Sequence, residues 1–166
     1  MADLSRTDTF HRKKKDIPKI ISRKTGDDEI IYGATAINKQ TPKNKKYLQE
    51  STVDFDVFSN TPKKDAKEVE LALDKHFGGD YFDVEAAQHP GTWKVKGPNG
   101  KTYADYTDKP RGTRSKTIDG KKYVPLPAIA RHINKTLKDD TAKYRWRKDR
   151  DALNRIKLMM KKGGDK

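Results

Sequence analysis

Two aspartates, Asp54 and Asp56, lie in an apolar alternation near the start of the second third of the chain. Val53, Phe55 and Val57 are the apolar members of that alternation. Residues two apart in an extended strand project from the same face, so both carboxylates are expected to point one way while the apolar side chains enter a core. Two carboxylates on one rigid edge repel each other, and a divalent cation relieves that repulsion. The same pattern also fits an edge strand whose charges stay in water, and the pair alone leaves both interpretations open.

A third aspartate, Asp105, lies in another segment with the pattern of a strand. A helical segment at 62–77 separates it from the first pair. Carboxylates on neighbouring strands can converge on two metal ions about 4 Å apart, which stabilise an in-line displacement at phosphorus. One ion activates an attacking hydroxyl and the other neutralises a pyrophosphate leaving group. We therefore predict that Asp54, Asp56 and Asp105 are the catalytic and metal-binding residues, with Mg²⁺ or Mn²⁺ as the ion.

A glycine turn at Gly33 precedes the aspartates. A short apolar strand at 29–32 leads into it, and a helical segment at 34–40 follows. This succession brings free backbone N–H groups and the positive end of a helix dipole to one place, which suits phosphate oxygens. One glycine at such a turn does not define a site by itself. The residues expected to contact a nucleotide are Gly33, Ala34, Thr35, Ser51 and Thr52.

The remaining segments alternate between helical and extended patterns. Asp16 opens a helix that Gly26 ends, and Thr61 with Pro62 opens another that closes at Gly78. Strands are expected at 81–87, 92–96 and 102–107, a hairpin at 118–124, and helices at 127–137 and 141–162. This order predicts an α+β fold in which helices cover a mixed β-sheet and a helical segment ends the chain.

The composition indicates an anionic partner. The formal net charge is +14, and charged residues make up 37% of the chain against 32% hydrophobic residues. Nucleic acid is the first candidate and a nucleoside triphosphate the second, and binding to nucleic acid should be indifferent to its sequence. Trp93 and Trp146 either stack on bases or belong to the core. The cations expected to contact nucleic acid are Lys43, Lys45, Lys46, Arg111, Arg114, Arg145, Arg147 and Lys148.

Several classes of protein are disfavoured by what the sequence lacks. No stretch of about eighteen apolar residues predicts a membrane span, and no hydrophobic region follows the N-terminal basic run as it would in a secretory signal. The chain has no cysteine, which removes disulfide and thiolate chemistry and fits a reducing compartment. We therefore expect an intracellular, cytoplasmic location, with association with a virion left open.

The ordered set of motifs resembles the nucleotidyltransferase superfamily typified by DNA polymerase beta and the minimal antibiotic and tRNA nucleotidyltransferases. Members of that superfamily have a strand ending in a glycine turn, a helix, an acidic-x-acidic strand and a third acidic residue on a neighbouring strand. Ala34 departs from this pattern, because many relatives carry a hydroxyl there that Thr35 or the backbone would have to replace. The matching segments lie at 31–34, 51–56, 103–106 and 147–153.

The resemblance implies an active, metal-dependent enzyme that moves a nucleoside monophosphate from an NTP to a hydroxyl-bearing acceptor, nucleic acid among the candidates. The polar, basic sequence of residues 1–15 predicts a flexible arm before a nucleotidyltransferase-like core at 16–125 and a basic helical segment at 126–166. The alternative is a non-catalytic nucleic-acid-binding protein, associated with a virion or ribonucleoprotein, on the same fold. The three aspartates favour the enzyme, because a protein that only binds phosphates has no need of carboxylates beside its basic surface.

Overall fold

The computed structural model of the protein describes the backbone of residues 2–41 and 54–163 and the side chains of residues 6–41 and 54–159. Five of the residues predicted from the sequence to bind nucleotide or nucleic acid lie outside these ranges. They are Lys43, Lys45, Lys46, Ser51 and Thr52.

Helices and strands alternate along the described residues in nearly the predicted order. The α-helices are α1 (Ala2–Lys13), α2 (Ile17–Lys24), α3 (Gly33–Lys39), α4 (Pro62–Phe77), α5 (Leu126–Thr136) and α6 (Trp146–Gly163). The strands are β1 (Ile30–Tyr32), β2 (Phe55–Ser59), β3 (Asp83–Ala86), β4 (Thr92–Lys96), β5 (Thr102–Asp108), β6 (Lys116–Ile118) and β7 (Lys121–Tyr123). Short 3₁₀ turns precede α2 (Lys14–Asp16) and α6 (Asp140–Arg145).

The seven strands of the described chain form one sheet, in the order β3-β4-β5-β2-β1-β7-β6. The central strand β2 runs parallel to β5 and antiparallel to β1, and β1 runs parallel to β7. Parallel neighbours need a crossover connection, and between β2 and β5 the chain forms α4 and the β3–β4 pair. The predicted α+β class, with a mixed sheet and helices around it, is confirmed.

The sheet has a packed face and an open face, and the side chains of β2 point alternately to one and the other. Phe55, Val57 and Ser59 are buried on the packed face, while Asp56 and Phe58 alternate with them and are only partly buried. Helix α4 packs on the first face with apolar residues at helical spacing, and burial of each large side chain contributes roughly 1.5–3 kcal/mol. The buried residues of α4 are Pro62, Ala66, Val69, Leu73 and Phe77.

The first helix occupies the segment in which the sequence predicted a flexible basic arm. Residues 2–13 are helical, and Phe10, only 7% exposed, packs its ring against Phe77, Phe82 and Tyr103 at centroid distances of 5.6 to 6.4 Å. Arg6 adds a side-chain hydrogen bond of 2.7 Å to the carbonyl of Asp80. A single aromatic residue in a polar segment gives no helical period, so this packing was not readable from the sequence.

Candidate active site on the open face of the sheet

A row of four side chains crosses the centre of the open face. The strand register places Asp56 of β2 directly beside Asp105 of β5, beyond which Lys94 of β4 continues the row. On the other side of Asp56, Tyr32 of β1 completes it. The side chains of residues paired on adjacent strands point to the same face of the sheet, and their Cβ atoms lie about 5 Å apart. Two of the three predicted aspartates are therefore immediate neighbours at the middle of the sheet.

Gly33, the first residue of α3, makes room for the Asp56 carboxylate. Its φ is +70°, a conformation that L side chains rarely adopt, and a Cβ atom added to it would lie 2.3 Å from Asp56 Oδ2. Both the backbone conformation and the space thus require glycine. The structure places the Cα of Gly33 against the Asp56 side chain, and the phosphate binding expected of Gly33 from the sequence stays a prediction.

The Asp56 and Asp105 side chains are neighbours in the strand register, and each affects the pKa of the other. Burial, followed by the charges of Asp105 and Asp54, raises the pKa of Asp56 to about 7. Burial also raises the pKa of Asp105, against the opposing charge of Lys94. When two carboxylic acids lie this close, ionising both is electrostatically unfavourable unless a cation lies between them.

Asp54 lies one residue before β2 and beside the Asp56–Asp105 pair, whereas the sequence predicted that it would lie within the same strand as Asp56. Its backbone carbonyl accepts a hydrogen bond from the Thr35 hydroxyl, which ties the start of β2 to α3. Its side chain is 47% exposed, and its Oδ1 lies 4.0 Å from Lys101 Nζ. Partial burial raises the pKa of Asp54, while Lys101 and Lys148 lower it.

The carboxylates of this centre have the chemistry that a hard divalent metal requires. Asp105 Oδ1 is buried and has no hydrogen-bond partner among the described residues, so an oxygen lone pair is available to a cation. The three aspartates do not form a set whose ligand oxygens all lie within 4.8 Å of one another. Asp54 would have to turn away from Lys101 to join the other two. The donor set therefore fits Mg²⁺ or Mn²⁺, with Asp56 and Asp105 as its fixed part.

A second group of acidic side chains lies at the far end of α4, and the sequence analysis missed it. Ligand oxygens of Glu70, Asp74 and Asp80 lie within 4.8 Å of one another. Glu70 and Asp74 are four residues apart on one helix, a spacing that could have revealed them. Asp74 Oδ1 accepts backbone N–H groups from Tyr81 and Phe82 at 2.9 and 2.8 Å, so it already has a structural role after the helix.

Cations surround the aspartates on several sides. Lys94 faces Asp105 across the β4–β5 pair, Lys101 pairs with Asp54, and Lys148 of α6 lies within electrostatic reach of Asp54 and Asp56. The sequence analysis chose Lys148 but missed the other two, because their positions depend on the register of the β4–β5 hairpin.

The other predicted cations lie elsewhere. Arg111 and Arg114 are exposed in the loop between β5 and β6, and Arg147 is exposed on α6. Arg145 pairs with Asp149, with 3.3 Å between Nε and Oδ2. None of the helices in the described part of the chain combines the length and apolar character needed to cross a bilayer.

Comparison with known proteins shows a similarity at the level of the fold. No protein-family model matches the chain, and no curated protein sequence matches it. The crystal structure of the Megavirus polyadenylate synthase is similar to the chain with a TM-score of 0.70 and 27% sequence identity. The match covers 87% of this chain but only 31% of the polyadenylate synthase chain. The protein thus has a nucleotidyltransferase-like fold, similar to part of a viral polyadenylate synthase.

Proposed function

We propose that the protein is a metal-dependent nucleotidyltransferase that moves a nucleoside monophosphate from an NTP to a hydroxyl of a nucleic-acid acceptor. The observation that carries this proposal is the Asp56–Asp105 pair. Its members are neighbours at the centre of the sheet, and Asp105 Oδ1 is buried without a hydrogen-bond partner among the described residues. The similarity to the polyadenylate synthase supports the same class of reaction, since that name describes transfer of nucleotides to a nucleic acid.

Each carboxylate has a role in this proposal. Asp56 and Asp105 would hold Mg²⁺ or Mn²⁺, and Asp54 would complete the set by exchanging Lys101 for the metal. A bound divalent ion would supply charge neutralisation at the transferred phosphoryl group and lower the pKa of the attacking hydroxyl. By resemblance to the superfamily, Asp105 lies on the side of the attacking hydroxyl.

The basic side chains around the carboxylates attract the substrate. Lys94, Lys101 and Lys148 are placed to offset the negative charge of an NTP, which reaches its greatest density at the β- and γ-phosphates. Gly33 keeps the backbone of α3 close to Asp56, where any larger residue would displace the carboxylate. The residues predicted to contact the nucleotide directly are Gly33, Ala34 and Thr35, with Ser51 and Thr52 outside the described residues.

The alternative function is non-catalytic binding of nucleic acid on the same fold. One observation favours this alternative: Asp54 pairs with Lys101, as expected of a carboxylate that does not bind a metal. The net charge of +14 suits both functions. The acidic pair at the centre of the open face distinguishes the two functions. Two carboxylates weaken the attraction for phosphates, so they favour catalysis, in which they would bind a cation.

A transfer assay tests the proposal. The protein is incubated with each α-labelled NTP, Mg²⁺ or Mn²⁺, and pooled RNA and DNA oligonucleotides, and labelled products are resolved by length. We expect labelled, lengthened products from the wild type and none from Asp56→Asn or Asp105→Asn. Asp83→Asn, an exposed change on edge strand β3, is the matched control and should keep full activity. Absence of transfer with every NTP, metal and acceptor would favour the non-catalytic alternative.

A further inference from the structure

Residues 143–150, which we call the basic aromatic segment, join the last 3₁₀ turn to the start of α6. The segment contains five cations, one aspartate and two aromatic residues, Tyr144 and Trp146. The indole N–H of Trp146 donates a 2.8 Å hydrogen bond to the carbonyl of Thr136, at the end of α5. Lys143 and Arg150 lie over the same indole ring at 5.6 and 5.9 Å. Trp146 therefore fixes the segment to the rest of the fold.

Tyr144 is presented to solvent by this anchored segment. It is 86% exposed, more than the other exposed large hydrophobic residues of the described chain, Leu71 at 67% and Leu158 at 62%. Its ring and hydroxyl have no hydrogen-bond or ring partner among the described residues. A large aromatic side chain that is uncovered, next to a residue anchored as Trp146 is, offers its ring for stacking.

Two cations of the basic aromatic segment lie within electrostatic reach of the open face of the sheet that carries Asp56 and Asp105. Arg145, directly after Tyr144, lies within electrostatic reach of Tyr32, which stands beside Asp56 in the strand register. Lys148, one helical turn further on, lies within reach of both Asp54 and Asp56. A ligand that lies along this segment would thus lead to the carboxylates.

Single-stranded nucleic acid matches the chemistry of this surface. Its phosphates suit the exposed Arg147 and Lys148, and its unpaired bases have free faces that stack on aromatic rings without regard to sequence. A duplex matches it less well, because its bases are already stacked and paired. An acidic peptide would use the cations but leave the ring of Tyr144 without a planar partner.

We propose that Tyr144 stacks on a base of a single-stranded nucleic-acid acceptor, while neighbouring cations hold its phosphates and direct its hydroxyl end toward Asp56 and Asp105. The role of this contact in transfer rests on the proposed function, whereas the binding itself can be measured without any transfer. It names the acceptor class as single strands and assigns Tyr144 as a binding residue.

The test measures binding without catalysis. Fluorescence anisotropy follows the 166-residue chain binding to labelled 12-nucleotide RNA, 12-nucleotide DNA and a blunt duplex of the same length, in EDTA and without NTP. Tyr144→Ala should weaken single-strand binding by about 5- to 150-fold, the effect of losing one stacked base. Tyr144→Phe should bind like the wild type, because the ring remains. Leu71→Ala, an exposed change on α4, should also bind like the wild type.

The dependence on salt separates stacking from charge. Tyr144→Ala should leave the slope of log affinity against log salt unchanged, whereas Arg147→Ala should reduce it by about one. Single strands bound by Tyr144→Ala as tightly as by the wild type, or a duplex bound as tightly as single strands, would overturn the inference.

The inference and the proposed function fail separately. If the wild type transfers nucleotides but Tyr144→Ala changes neither single-strand affinity nor the KM for the acceptor, the inference is wrong and the function stands. If Tyr144→Ala weakens binding and the wild type transfers nothing, the surface stands and the catalytic proposal is wrong.

Discussion

Gly33→Ala should damage the site far more than the fold. A Cβ at residue 33 would lie 2.3 Å from Asp56 Oδ2, while ordinary contacts of such an atom lie at 3.4 Å or more. The carboxylate must therefore retreat by about 1 Å, and a misplacement of that size can cost about 10²-fold in rate. The positive φ of +70° adds a backbone penalty of about 1–2 kcal/mol.

Gly78→Ala is the matched control for this prediction. Gly78 caps α4 with a φ of +83°, but a Cβ added there would meet nothing within 4 Å. The two variants should therefore show similar backbone penalties in urea denaturation, while only Gly33→Ala loses nucleotide transfer. Equal transfer rates in the two variants would refute the reasoning, because they would show that the Asp56 carboxylate does not need the space at Gly33.

Three further predictions concern pH and salt. Burial raises the pKa of Glu29 to about 7 from 4.5, so stability should fall as pH rises between these values. Glu29→Gln should recover roughly 1–3 kcal/mol at pH 8, the upper figure being the unscreened value. Urea denaturation at pH 5 and pH 8 would contradict this if the variant kept the wild-type profile. Asp56→Asn should raise the melting temperature in EDTA more at pH 8 than at pH 5. Because the pKa of Asp56 is raised, the free-energy cost of ionising this aspartate in the folded state grows with pH up to about pH 7. An equal or negative shift in melting temperature at pH 8 would count against a repelling pair. Replacing both Arg111 and Arg114 by Ala should lower the salt slope of nucleic-acid binding by about two, measured by anisotropy, and an unchanged slope would remove that loop from the interface.

The alternating pattern of β2 was sufficient to predict its packed and open faces. Phe55 and Val57 are buried as expected, and the helix from Pro62 to Phe77 begins at the predicted proline and ends at Gly78. These features depend on local periodicity and on the backbone preferences of single residues, which the sequence carries directly. The fold class followed from the order of such elements.

The composition of the site depends on contacts between distant segments, which periodicity does not encode. Asp56 and Asp105 are neighbours only because β2 and β5 pair in parallel in one register. Lys94 joins them through the register of a separate hairpin. The close approach of Gly33 to Asp56 and the burial of Phe10 likewise arise from tertiary packing. Residue types and order thus predicted which acids to examine, and the pairing of strands determined which of them meet.

Titration of Mn²⁺ followed by electron paramagnetic resonance, in the presence of a non-hydrolysable NTP analogue, tests most directly whether Asp56 and Asp105 hold the metal. The wild type should bind Mn²⁺ tightly, and Asp56→Asn and Asp105→Asn should each lose that binding while remaining folded. Glu70→Gln, which alters the acidic group at the end of α4, should bind as the wild type does. Tight binding that survives both aspartate changes, or that disappears in Glu70→Gln, would contradict the assignment of the metal to the open face of the sheet.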